Sequence, residues 1–288
     1  MDGSPTRRQL LHVVPMATVD EPEQTDSRDA DLWYQLLTRE TLRPLSRKVV
    51  IPEPLTPEWF ALIEEKRYAR HGAWMHRLLE FHKHPGERVL ALGDGLGTDW
   101  IQYARQGAHC IVCSESQVGL AHVRRNFECR GLVAQFVHTP SHQLPFEPET
   151  VDVVSLSGDR LERVSPEVLL PEIFRVLKPG GKVIATLPAQ NDAYAWERWA
   201  LPWRNWLPFW KNQSAARASQ LRFNRRQVTQ LFADFAELKI YQRHLRRSEL
   251  PHLWRPLPLP LMERLMGRFL VVKAYKPLTA AMRLTQVA

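Results

Sequence analysis

A strand that runs into three closely spaced glycines and then into a helix constrains this chain more than any other feature. Arg88 to Leu92 reads as a strand, and Gly93-Asp94-Gly95-Leu96-Gly97 as a tight turn. Thr98 to Arg105 reads as a helix closed by Gly107. Glycines at such a junction let a ligand approach the backbone closely. A dinucleotide fingerprint needs the spacing G-x-G-x-x-G. Here the third glycine comes one residue early and Thr98 stands in its place, so G-x-G-x-G points to a smaller nucleoside ligand.

The same rhythm continues along the chain. Cys110 to Cys113 is a strand, Gln117 to Cys129 a helix closed by Gly131, and Val133 to Val137 a strand. Val151 to Leu156 is a strand, Pro166 to Leu177 a helix stopped by Pro179-Gly180-Gly181, and Lys182 to Leu187 a strand. Asn224 caps a helix over Arg225 to Phe235. Glu237 to His244 and Phe269 to Tyr275 are final strands, separated by the Pro-rich stretch Pro251 to Pro260. Upstream, Thr56 and Pro57 start a helix expected to run to about His82. Strand–helix alternation predicts an α/β fold with a parallel, doubly wound sheet. The expected organisation is a leader and Pro-rich linker over 1–55 and one domain over 56–288, with 189–222 as a Trp-rich lid or insertion.

Val89-Leu-Ala-Leu-Gly-Asp-Gly-Leu-Gly97 resembles the first motif of the class I S-adenosylmethionine-dependent methyltransferases. Leu144-Pro-Phe146 with Val151-Asp-Val-Val154 resembles the stretch before and within their fourth strand. Glu172-Ile-Phe-Arg-Val-Leu-Lys-Pro-Gly-Gly-Lys182 resembles the approach to their fifth strand. The resemblance covers residues 86–188 and implies a Rossmann-like methyltransferase fold, a doubly wound, mostly parallel seven-stranded sheet with an antiparallel edge strand, with S-adenosylmethionine as cofactor. It implies cofactor-binding roles for Gly93, Asp94, Gly95, Gly97, Ser114 and Glu115.

The departures bear on activity. The resemblance implies acids near the end of the first strand, at the end of the second, where a carboxylate grips the ribose hydroxyls, and after the third. This chain has Ala91, Ser114 and Pro140 in those places. Losing a charge-assisted pair of hydrogen bonds should cost about 1.5–3 kcal/mol. Glu115, Asp94 and Asp99 are the substitute acids within reach. Two readings follow: a methyltransferase acting on a small or lipid-like acceptor, or a catalytically degenerate methyltransferase-fold scaffold.

Methyl transfer from a sulfonium is mainly a matter of alignment, so no catalytic constellation is required. Asp159, Glu162 and Asn191 follow the fourth and fifth strands, on the ligand side, as loop residues or as groups facing the substrate. The eleven His show no metal spacing, and no metal is assigned. Cys110 and Cys113, three apart on a strand, point to opposite faces and cannot share a metal. Trp196, Trp199, Trp203, Trp206 and Trp210 recur at helical spacing, interrupted by Pro202 and Pro208. This stripe is read as core packing, a lid over an apolar acceptor, or a membrane dock. Residues 189–288 hold 17 Lys+Arg against 6 Asp+Glu, whereas the whole chain is +8. That imbalance allows peripheral contact with an anionic surface. No motif beyond charge suggests nucleic acid. Without a signal-peptide core or spanning segment, the expected location is cytoplasmic.

Overall fold

The computed structural model describes residues 52–69, 72–93, 95–139, 143–193, 195–196, 221–245, 247, 250, 254 and 256–278. They lie within a unit that spans 44–288. Helix α1 is Pro57–Tyr68, with the Thr56 side chain accepting from Trp59 N and Pro57 in the first turn. The expected single helix to His82 is broken. A Cβ on Gly72 would lie 1.7 Å from the Arg67 carbonyl oxygen, so the chain folds back on the last turn of α1. A second helix, α2 (Trp74–Leu78), and a 3-10 turn at Phe81–Lys83 follow. The periodic apolar residues therefore belong to two helices.

The sheet then builds as expected. Strand β1 (Arg88–Leu92) leads to α3 (Thr98–Arg105), β2 (His109–Ser114) to α4 (Gln117–Glu128), and β3 (Gln135–His138) follows. β3 starts two residues later than expected, because Val133 stays almost fully exposed. β4 (Val151–Ser157) leads to α5 (Gly158–Arg163) and α6 (Pro166–Val176), then β5 (Leu177–Pro188). The last elements are α7 (Arg225–Leu231), β6 (Ala236–Arg243), α8 (Leu259–Met266) and β7 (Phe269–Tyr275). Asn224 closes a full capping box with Gln227 at the start of α7.

Strand order is β3-β2-β1-β4-β5-β7-β6. β1 to β5 pair in parallel, and β7 runs antiparallel to both β5 and β6. The antiparallel strand thus sits one in from the edge. Two helices were missed. α5 occupies what read as loop after β4. α8 begins at the end of the Pro-rich stretch, where Pro258 and Pro260 start a helix rather than prevent one.

The central strands are apolar on both faces, as a doubly covered sheet requires. Leu90, Leu92, Cys113, Val154 and Leu156 face one layer with Leu169, Ile173 and Val228. Val89, Ala91, Cys110, Val112 and Val153 face the other with Ile101, Val123 and Phe127. Cys110 and Cys113 thus lie on opposite faces, and burial pushes each thiol up to about 12. Ala91 is fully buried in apolar surroundings, with no place for the acid expected there.

Candidate active site

Order reverses between β1 and β4, the crevice where open α/β sheets hold ligands. The glycine turn lies at the end of β1. Gly97 takes φ +69°, and a Cβ there would meet Val123 Cγ1 at 2.6 Å, so its glycine lets α3 and α4 approach. Gly95 differs. Among the described residues, a Cβ there would find only Gly97 N, at 3.9 Å, so the backbone faces open space. Gly93 ends the strand. Asp94 lies outside the described residues.

Three side chains that sequence reasoning missed hold this turn. Asn126 of α4 is buried and donates to the Leu96 carbonyl at 2.7 Å. Arg67 grips Asp99 with Nε–Oδ1 at 2.6 Å and Nη2–Oδ2 at 2.5 Å. The Tyr68 hydroxyl lies 2.7 Å from Asp99 Oδ1 and 3.1 Å from the Thr98 carbonyl. Burial would raise the Asp99 carboxyl, but Arg67 and Tyr68 hold it below its ordinary value. Burial and the Asp99 charge push the Tyr68 phenol up. Asp99 thus fastens α1 to the loop and is not placed as a substitute ribose acid. The signal for this was faint: an Arg-Tyr pair at the end of a helix.

At the end of β2, Ser114 is buried, and its hydroxyl accepts from Ser116 N at 3.0 Å. Ser116 caps α4 by accepting from Gly119 N. Ser114 therefore shapes the turn at the place where an acid was expected. Glu115, next in sequence, is the acid present. Its Oε1 is 2.9 Å from Nη1 of Arg160, which is fully buried in α5. His138 Nε2 lies 3.0 Å from the Glu115 carbonyl, tying β3 to the same turn. Pro140 lies outside the described residues. Asp159 and Glu162 fall on α5, but their side chains are outside what is described. Asn191 is exposed, and its carbonyl accepts from Gln242.

The two downstream motifs join each other rather than the crevice. Arg175 donates to the carbonyls of Leu144 (2.9 Å) and Phe146 (2.7 Å), and Glu172 accepts from Leu144 N. Beyond β5, Ala189 bridges Phe223 and Arg222 pairs with Asp192 at 2.9 Å. The entry and exit of the Trp-rich segment are thus fastened side by side. Of its stripe, Trp196 is described and packs with its ring centroid 5.9 Å from that of Trp254, tilted by 60°; Trp199, Trp203, Trp206 and Trp210 lie outside the described residues. Among the described residues, no group of three His, Cys, Asp or Glu could hold a metal, and no helix is long and apolar enough to cross a membrane.

Comparison with known proteins agrees with this geometry. Residues 89–181 match the family profile described as a methyltransferase domain. A demethylmenaquinone methyltransferase of Clavibacter sepedonicus is 36% identical over 99 residues, 34% of this chain and 40% of that protein. A ubiquinone/menaquinone biosynthesis C-methyltransferase of Vibrio campbellii is 32% identical over 106 residues, 35% of this chain and 40% of its own. The chain thus spans 40% of the length of these relatives. Among solved structures, the [4+2]-cyclase SpnF superposes with TM-score 0.53 at 18% identity, covering 85% of this chain and 94% of its own. A Haemonchus contortus phosphoethanolamine N-methyltransferase 2 in complex with S-adenosyl-L-methionine gives 0.52 at 16%, covering 77% of this chain and 57% of its own. Those two likenesses concern the fold. The profile match marks residues 89–181 as a methyltransferase domain, and the glycine turn and the strand order agree with it.

Proposed function

We propose that this protein is an S-adenosylmethionine-dependent methyltransferase whose acceptor is a small, quinone-like, lipid-soluble ring compound. The observation that carries the cofactor reading is the glycine turn. It is pinned from two sides by Asn126 and Tyr68, and it leaves open space at Gly95. The quinone class follows from the names of the relatives matched over the cofactor-binding region. When bound, the cofactor supplies an electrophilic methyl group on a sulfonium.

The chain's residues then bind and align. Gly93 and Gly95 give the ligand access to the backbone, and Gly97 lets α3 pack against α4. Glu115 accepts from the ribose hydroxyls, and Ser114 sets the turn that presents it. Asp99, held by Arg67 and Tyr68, keeps α3 and its glycine turn in place rather than touching the ligand. In a domain read as spanning 56–288, the stretch 189–222 is assigned as the Trp-rich lid or insertion; its described ends are joined by Ala189–Phe223 and Arg222–Asp192. Calorimetric titration with S-adenosylmethionine and S-adenosylhomocysteine is the direct test. Micromolar Kd and methyl transfer to a demethylmenaquinone support the reading. No heat at millimolar cofactor would replace it with a non-catalytic scaffold.

A lipid-soluble acceptor also favours peripheral contact between the basic C-terminal third and an anionic bilayer. Beside the base of the lid, Leu257, Leu261 and Leu265 are 41%, 52% and 49% exposed, at helical spacing, with Arg264 exposed among them. The expected result is salt-sensitive sedimentation with phosphatidylglycerol vesicles. The Leu261→Glu/Leu265→Glu variant should lose it. No sedimentation of the parent at low salt would remove the idea.

A further inference from the structure

Arg160 poses a question that packing does not answer. It is 0% exposed, on a short helix whose next residue, Leu161, belongs to the apolar core. Its one ionic contact among the described residues is Glu115 Oε1, at 2.9 Å. That contact falls short of a hydrogen bond, and among the described residues Nε, Nη1 and Nη2 meet no hydrogen-bond acceptor. A buried guanidinium left in that state is unfavourable, and an apolar side chain of similar volume would be the stabilising choice.

Strand order shows what the pair does. Glu115 follows the last residue of β2, and Arg160 lies three residues beyond the end of β4. β1 lies between those strands, so the pair spans the end of β1, where the glycine turn begins. The position agrees with the nearness of Arg160 to Cys113, near the end of β2, where its charge acts to lower the thiol against the larger effect of burial. Glu115 is held at one oxygen only. Oε1 is buried against Arg160, whereas Oε2 is not, and the side chain is 17% exposed.

We infer that Arg160 is a positioning residue: it fixes Glu115, one residue past the place where an acid was expected, so that Oε2 faces the vicinal diol of a nucleoside in the crevice. This rests on the proposed cofactor reading. A free glutamate just past a strand end would lose rotamer freedom on binding; one clamped at Oε1 has already lost it. The contact tightens when the diol orients Oε2, as ligand-site hydrogen bonds commonly do on binding.

The test compares S-adenosylhomocysteine with its 2′-deoxyribose analogue by calorimetry. The parent is expected to prefer the ribose form by about tenfold, one charge-assisted hydrogen bond. Arg160→Met should weaken S-adenosylhomocysteine about tenfold and erase the preference, and Glu115→Gln should do the same. The double variant should be no worse than either single one, because one interaction is removed once. Arg160→Lys, which keeps the charge but not the fork, should keep less than about half of the preference. An Arg160→Met protein that retained the parent's preference would overturn the inference while leaving the cofactor reading intact. If that variant did not fold, an Arg160→Lys protein with undiminished preference would overturn it equally. A parent that bound neither ligand would instead overturn the cofactor reading, and this inference with it.

Discussion

Gly95→Val should weaken S-adenosylhomocysteine binding by about a hundredfold or more while leaving the protein folded. The loss corresponds to roughly 2.7 kcal/mol. The physical basis is the asymmetry of the glycine turn. Among the described residues, a Cβ at Gly95 meets nothing closer than 3.9 Å, so the branched side chain strains none of them and projects into the space assigned to the ligand. Gly97 is the contrasting control. Its φ of +69° and the 2.6 Å approach to Val123 mean that Gly97→Ala strains the backbone and forces α3 from α4. That variant should lose about 1–3 kcal/mol of stability from the left-handed conformation alone. Calorimetry and urea unfolding on both variants separate the two roles. If Gly95→Val bound as tightly as the parent, the ligand would lie elsewhere and the proposed function would lose its main support.

The same turn shows how far the sequence could be read. Periodicity placed β1, β2, β4, β7 and the helices α3, α4, α6 and α7, because central strands buried on both faces are unbroken apolar runs and helices such as α4 and α7 start on capping residues. It could not separate α1 from α2, since the apolar spacing continues across a break set by the tight turn at Gly72. It read α8 as a connection because prolines that start a helix look, in isolation, like prolines that interrupt one. The glycines were legible from spacing alone. The residues that hold them were not: Asn126, Arg67 and Tyr68 lie about 30 positions from their partners, and such contacts leave no local pattern. Arg160 was hidden for a different reason. In sequence it is one charged residue in a polar stretch, and only strand order brings it to Glu115.

A second long-range cluster carries the largest expected effect on stability. Glu80 Oε1 and Oε2 meet Lys273 Nζ at 2.8 Å and Lys182 Nζ at 2.5 Å, and Lys83 Nζ lies 3.0 Å away. Glu80 and Lys273 are each 6% exposed. Glu80 also sits in the left-handed region, at φ +57°, a conformation kept only because its surroundings enforce it. The contact fastens the segment after α2 to β5 and β7. Glu80→Gln preserves shape but leaves two buried or nearly buried ammonium groups without their counter-charge. Removing one partner of a buried pair costs about 3–5 kcal/mol, a large fraction of the roughly 5–15 kcal/mol that holds a domain together. Urea unfolding at pH 7 should show that loss. A second substitution, Lys273→Met, should recover part of it by removing one stranded charge.

The acid side gives an independent check on the same group. Burial would raise the Glu80 carboxyl, but the lysines hold it down to about 2, against an ordinary 4.5. Its contribution is therefore complete above about pH 4.5 and fades as pH falls toward 2, because the unfolded chain takes up the proton first. His84, beside Glu80, is held below its ordinary 6.5 mainly by burial, so its own loss of stability begins higher, as pH drops below about 6.5. The two windows separate the groups. The parent should lose stability in both, whereas Glu80→Gln should keep the upper loss and show a flatter profile below pH 4.5. A Glu80→Gln protein less than about 1 kcal/mol weaker than the parent at neutral pH, with an unchanged acid limb, would show that the cluster is not what fastens this segment to the sheet.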